Sequence, residues 1–165
     1  MSHPAAYLAY TAPINPDGAT PVLSKDQVWQ GLQRKVRQAQ VFVPNAIKST
    51  QVLSEEKDEH GREVVKREVI FIENDRKARE SCVFFPQMKV EAHKFIQSDG
   101  TKVLNTISDG AGGQLYMTYQ FEWFMAEDTP VEKQQENIKK WEAMSKTAVE
   151  SSIDKIRELV VGGKL

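Results

Sequence analysis

Hydrophobic positions change their spacing twice along the chain. Val28, Trp29, Leu32 and Val36 recur at helical spacing, and Ser24-Lys25-Asp26-Gln27 ahead of them is a capping box. A helix over residues 25–39 follows, with a further helical turn at 41–44. Between residues 46 and 125 the period drops to two, the mark of strands with one buried face. Strands are predicted at 47–53, 63–72, 78–85, 89–96, 102–108 and 114–125. The breaks between them fall at the charged stretch 54–61, at Glu73-Asn74-Asp75, at Pro86, at Ser98-Asp99-Gly100 and at Asp109 to Gly113. An earlier strand over residues 5–15 carries Pro13, which an edge position tolerates.

From residue 129 the helical period returns. Thr129-Pro130-Val131-Glu132 reads as a second capping box, and Gly162-Gly163 supplies the stop. About 30 residues at about 1.5 Å rise make a rod of roughly 45 Å. Ile138, Trp141, Ala148, Val149, Ile156, Leu159 and Val160 share one face, interrupted by Gln134, Ser145 and Ser152. Small and polar interruptions of that kind suit a face that lines a cavity. The element order, strand–helix–six strands–long helix, predicts an α+β fold. Closely spaced strands pair most economically in sequence as an antiparallel sheet. A bent sheet cannot fill its own concave side, so the terminal helix covers it and leaves a pocket between them.

Composition narrows the function classes. The 165 residues suit one domain, spanning 1–165, and 27% charged with 40% hydrophobic residues is ordinary for a globular protein. A net charge of −1 with interleaved signs argues against a nucleic-acid partner. No apolar run approaches the length of a membrane span, and the first ten residues lack the pattern of a secretory signal. The single cysteine, Cys82, forms no internal disulfide, so a reducing, cytoplasmic setting is expected, with the protein a monomer or homodimer.

Val28-Trp29-Gln30-Gly31-Leu32, Phe42-Val43-Pro44, Lys66-Arg67-Glu68-Val69, Val103-Leu104-Asn105-Thr106 and Gln114-Leu115-Tyr116-Met117-Thr118-Tyr119 together resemble the AtaL-like family. That family lies within the Bet v 1/START (SRPBCC) helix-grip superfamily, and the match runs from about residue 5 to 156. Where the family pattern places a basic residue, this chain has Ser81. The resemblance implies a seven-stranded antiparallel curved sheet wrapped around the C-terminal helix. It also implies a deep apolar cavity, no obligatory cofactor and a place in secondary metabolism. Related helix-grip proteins act as cyclases, aromatases, isomerases or carriers.

Four residues are candidates for chemistry. Arg67 alternates onto the apolar face with Val65, Val69 and Phe71. A hairpin symmetric about Asn74-Asp75 would put Cys82 opposite Arg67 and Glu80 diagonal to it. Arg67 and Glu80 can then orient a ligand oxygen, or simply form a structural ion pair. Asn105 lies with Val103 and Ile107, and Tyr119 with Met117, Phe121 and Trp123. Either can hydrogen-bond a ligand, and either also fits plain core packing. Val65, Val69, Cys82, Phe84, Met117, Phe121 and Trp123 from the sheet, with Trp141, Met144 and Ser145 from the helix, are the expected ligand-binding wall. His3, His60 and His93 have no second ligand at metal-binding spacing, so no metal site is expected. Gly110-Ala111-Gly112-Gly113 lacks the ending of a phosphate loop and is read as a turn. The leading expectation is a cofactor-independent cyclase, isomerase or pericyclase acting on a hydrophobic small molecule. The alternative is a carrier using the same pocket.

Overall fold

The computed structural model of the chain describes residues 3–94 and 99–165. Strand β1 (Ala5–Pro13) opens the chain, followed by helices α1 (Lys25–Arg37) and α2 (Ala39–Phe42). Strands β2 (Ile47–Lys57), β3 (Glu63–Phe71), β4 (Lys77–Phe85), β5 (Lys89–Lys94), β6 (Lys102–Asp109) and β7 (Leu115–Phe124) come next, and α3 (Val131–Val161) ends the fold. All seven strands form one antiparallel sheet in the order β1-β7-β6-β5-β4-β3-β2. The α+β reading and the element order hold. The expected end of the fifth strand at Ile96, and Ser98 at the start of its turn, lie outside the described residues.

The Ser24 box forms as anticipated: Gln27 N–H donates to Ser24 Oγ at 3.2 Å, and Ser24 N–H to Gln27 Oε1 at 2.9 Å. The Thr129 box does not. α3 begins at Val131 with Pro130 as its cap residue and no side-chain cap. Gln134 Nε2 instead donates to the Thr129 carbonyl at 2.8 Å, holding the approach to the helix through its backbone. β2 runs to Lys57, past the expected end at residue 53, because bulges at Ile47/Ser49 and Val52/Ser54 shift its side-chain phase. That edge strand therefore carries no clean alternation for a sequence reading to follow.

Packing divides α3 in two. Its buried residues are Ser145, Val149, Ser152, Ile153, Ile156 and Leu159, none earlier than the middle turn of the helix. They press onto β1, β7, α1 and α2 and join a core in which Leu32, Met117, Tyr119, Val65 of β3 and Phe84 of β4 are each at most 2% exposed. Tyr10 Oη reaches Glu150 at 3.0 Å and Ser151 Oγ the Phe42 carbonyl at 3.1 Å, fastening this half to β1 and α2. From Val131 to Met144 no residue is buried, and only Gln134, Asn137, Ile138 and Trp141 are half-buried. The first half of the rod is therefore its more exposed half. Lys140 meets Glu73 in the β3–β4 turn at 3.2 Å, and Trp141 meets Trp123 of β7.

α1 and α3 cross tightly at Gly31. A Cβ there would lie 2.4 Å from Ile156 Cγ1 and 2.7 Å from its Cδ1, and Ile156 is wholly buried. Gly31→Ala should therefore destabilise the fold by about 1–2 kcal/mol, overpacking outweighing a helix-propensity gain of about 1 kcal/mol. A urea-unfolding midpoint at or above that of the wild type would show that the crossing relaxes freely.

Candidate functional site

The polar groups of the interior gather where the end of α1 meets the inner face of the sheet. Arg67 (β3) and Glu80 (β4) are directly opposite in the strand register, and Cys82 faces Val65. This corrects the expectation that Cys82 opposes Arg67 with Glu80 diagonal. The Phe71 N–H bonds the Arg76 carbonyl at 2.8 Å, so the turn is centred earlier than Asn74-Asp75. Asn74 and Asp75 both sit at positive φ within it.

Arg67 is almost fully engaged by the fold. Its Nε and Nη2 donate to Glu80 Oε2 at 2.9 and 2.7 Å. Its Nη1 donates to the carbonyls of Val36 (2.8 Å) and Lys35 (3.3 Å). Those carbonyls belong to the last turn of α1, which has no further turn to accept from, and a cation there also suits the helix dipole. The pair's side chains are only 12% and 15% exposed. Arg67 and Glu80 thus anchor the end of α1, and with it the residue whose side chain enters the cluster, Lys35.

Lys35 was not among the sequence candidates. Its Nζ donates to Tyr119 Oη at 2.9 Å and to Asn105 Oδ1 at 3.4 Å, and lies 4.0 Å from the Tyr119 ring centroid. Asn105 and Tyr119 are cross-strand neighbours on β6 and β7, 9% and 1% exposed. Among the described residues no carboxylate lies within ion-pair distance of the ammonium. Burial lowers the Lys35 pKa to about 7, the Arg67 charge adds to this, and Glu80 opposes it. Lys35 as a whole keeps some exposed surface; the enclosure concerns its amine end, where the protein contacts are. Burial likewise pushes the Tyr119 phenol well above the ordinary range, with Ser152 working weakly the other way. Burial raises the Cys82 thiol to about 11. A signal for Lys35 was present in the sequence: it lies seven residues after Val28 and three after Leu32, inside the apolar stripe of its helix.

The expected wall residues fall into two groups. Val65, Val69, Cys82, Phe84 and Met117 are at most 2% exposed and lie in the packed interior, where Phe84 takes the edge of Trp29 at 5.9 Å. Along β7, ring contacts run from Tyr119 to Phe121 (6.4 Å), from Phe121 to Trp123 (4.6 Å) and from Trp123 to Trp141 on α3 (4.9 Å). Trp123 and Trp141 are half-buried, and Met144 keeps 39% of its surface exposed. The stripe serines bond their own helix, Ser145 Oγ to the Glu142 carbonyl at 2.8 Å and Ser152 Oγ to that of Ala148 at 2.7 Å. Their small size lets the sheet approach the helix. Two hollows among the described residues open at the surface, and neither is lined by the expected wall residues. One, of about 450 Å³, is lined by Gln33, Arg34, Arg37 and Gln38; the other, of about 520 Å³, lies between the β1–α1 loop and α3. No helix of the described residues is long and apolar enough to cross a membrane.

Solved structures share this arrangement. A START superfamily protein from Mycobacterium smegmatis is 8% identical with a TM-score of 0.65, over 93% of this chain and 98% of that one. Norcoclaurine synthase from Thalictrum flavum is 12% identical with a TM-score of 0.61, over 100% and 99%. The Zhui aromatase/cyclase from Streptomyces sp. R1128 is 14% identical with a TM-score of 0.60, over 94% and 96%. These likenesses show a START-like, helix-grip fold. No curated protein matches the chain by sequence. The model of the family AtaL, described as acetylaranotin biosynthesis cluster protein L, matches residues 8–163, and the chain therefore belongs to the AtaL family.

Proposed function

We propose that this protein is a cofactor-independent enzyme of secondary-metabolite biosynthesis that cyclises or isomerises a hydrophobic intermediate. The observation that carries the reading is the Lys35 amine, held by Tyr119 and Asn105 against the apolar inner face of the sheet without a carboxylate partner. An amine with a pKa near 7 exchanges protons readily at neutral pH, which suits general acid–base catalysis. The family description points to a biosynthetic cluster, and two of the structural neighbours bear the names of an aromatase/cyclase and a synthase. Those names are support by analogy, since one fold hosts many chemistries.

The hydrophobic substrate would enter beneath the open first half of α3, between Trp123, Trp141 and Met144. The row of rings through Phe121 leads from there to Tyr119. Confinement against that wall would fold a flexible substrate into a near-reactive shape. Lys35 would move the proton, and Tyr119 and Asn105 would place hydrogen bonds on the oxygen that gains charge. Arg67 and Glu80 act as positioning residues through α1.

Turnover of hydrophobic carbonyl metabolites, followed by mass-resolved chromatography without added cofactors, tests the reading. Tyr119→Phe is expected to lower turnover by about 10²-fold, the size usual for one acid–base participant, with substrate affinity changed by less than about tenfold. Tight binding of the metabolite by the wild type with no conversion would identify a carrier instead.

A further inference from the structure

We propose that Lys35 forms an imine with an aldehyde or ketone of the bound hydrophobic ligand. The inference deepens the acid–base reading above and rests on it for the presence of a ligand at this cluster. Lysine amines act as carbonyl nucleophiles when apolar surroundings or a neighbouring cation favour the free base. Both conditions are met here. The partners of Nζ are a phenol oxygen and an amide oxygen, both neutral, and the guanidinium of Arg67, bonded to the backbone carbonyl of Lys35 itself, adds a like charge.

The charged and titratable groups around the amine come from three strands. They are Arg67 on β3, Glu80 and Cys82 on β4, and Tyr119 on β7, with the neutral Asn105 on β6. Glu80 is occupied by two hydrogen bonds from Arg67, so it leaves the amine without a counter-ion. Of the nucleophilic groups here, Tyr119 and Cys82 belong to residues 1% and 0% exposed, whereas Lys35 as a whole is half-buried with its amine end turned into the cluster. The buried thiol of Cys82, raised to about 11, stays protonated and is a poor rival. The Arg67 bonds to the Lys35 and Val36 carbonyls hold the root of the nucleophile in place where a helix end would otherwise fray.

The step balances without an added reagent. The nitrogen lone pair attacks the carbonyl carbon, and one N–H proton passes to the carbonyl oxygen to give a carbinolamine. Tyr119 Oη, 2.9 Å from Nζ, is placed to relay that proton without ionising. The second N–H proton then joins the departing hydroxyl, which leaves as water while the nitrogen lone pair closes the C=N bond. Amine and carbonyl become imine and water, and nothing is oxidised or reduced.

The test uses the full chain with 6-methoxy-2-naphthaldehyde, a rigid apolar aldehyde, reduced in place with sodium cyanoborohydride and mapped by peptide mass. The matching naphthyl alcohol, which binds but forms no imine, is titrated in parallel by fluorescence. A single adduct on Lys35 is expected, with a labelling rate that rises about tenfold from pH 6 to pH 8 and then levels, as the free base does for a pKa near 7. Lys35→Arg keeps the charge and should lose the adduct while still binding the alcohol; Lys35→Met, which removes the charge, should behave the same way. Label scattered over surface lysines and missing from Lys35, with the alcohol bound, overturns the imine and leaves the acid–base reading standing. Binding of neither compound overturns both.

Discussion

Glu80→Ala is expected to lower the unfolding free energy by about 3 kcal/mol, toward the lower end of what breaking a buried ion pair costs. In a domain of this length each kcal/mol shifts the melting temperature by about 2–4 °C, so the melt should fall by roughly 10 °C. The cause is the guanidinium left behind. Arg67 keeps its bonds to the Lys35 and Val36 carbonyls, but its Nε and Nη2 lose the carboxylate that balances the charge. At 12% side-chain exposure it reaches little water in exchange. The double variant Arg67→Met/Glu80→Leu removes the charge with its partner and should lie within about 2 kcal/mol of the wild type, the remainder being two uncapped carbonyls of α1. Paired urea and thermal unfolding decide the matter. A Glu80→Ala protein that loses less than about 1 kcal/mol would show the arginine escaping to solvent, and the anchoring role would fall with it.

Lys35→Met should separate stability from activity. The folded-state pKa of about 7 lies below the unfolded value near 10.5, so between the two the unfolded chain holds more protons. Stability therefore rises with pH through this window, and the penalty for enclosing the ammonium is fully present only as pH falls through about 7. Cys82 acts in the opposite sense higher up. Its thiol ionises near 9 when unfolded and near 11 when folded, so stability falls between those values. The two effects cancel between about pH 9 and 10.5, so wild-type stability should rise from pH 7 and level off above pH 9. The methionine variant should lack the rise from pH 7 to 9 and match or exceed the wild type at pH 6. Its turnover should drop by about 10²–10⁴-fold, and the pH–rate limb near 7 should vanish. Functional side chains commonly carry such a cost in stability. A flat wild-type stability curve from pH 6 to 9 would place the amine in water and remove the acid–base proposal.

Much of the architecture was legible because it is written in local periodicity. Alternation of Met117, Tyr119 and Phe121 marks a half-buried strand whatever lies across from it. The Ser24 box and the stripe from Val149 to Leu159 similarly depend on neighbours one or two turns away. Arg67, Asn105 and Tyr119 were placed on inward faces by the same alternation, and all three meet at one cluster. The partial failures lie where distant segments compete. Thr129 has the chemistry of a helix cap, yet the approach to α3 is held by its carbonyl. The β3–β4 register differs from the symmetric expectation by two residues, because the turn is centred one residue earlier and each strand partner moves by two while keeping its face.

Local patterning thus settles the order of elements, the curved antiparallel sheet and the terminal helix, since hydrogen-bond geometry and burial period act over a few residues. Lys35 shows what that scale leaves out. Its position inside an apolar stripe hints at burial, but its neighbours Asn105 and Tyr119 lie 70 and 84 residues away. The low pKa and the freedom from a counter-ion arise only when the end of α1 is clamped over β6 and β7 by Arg67. Desolvation is a property of everything packed around a charge, and long-range packing alone supplies it.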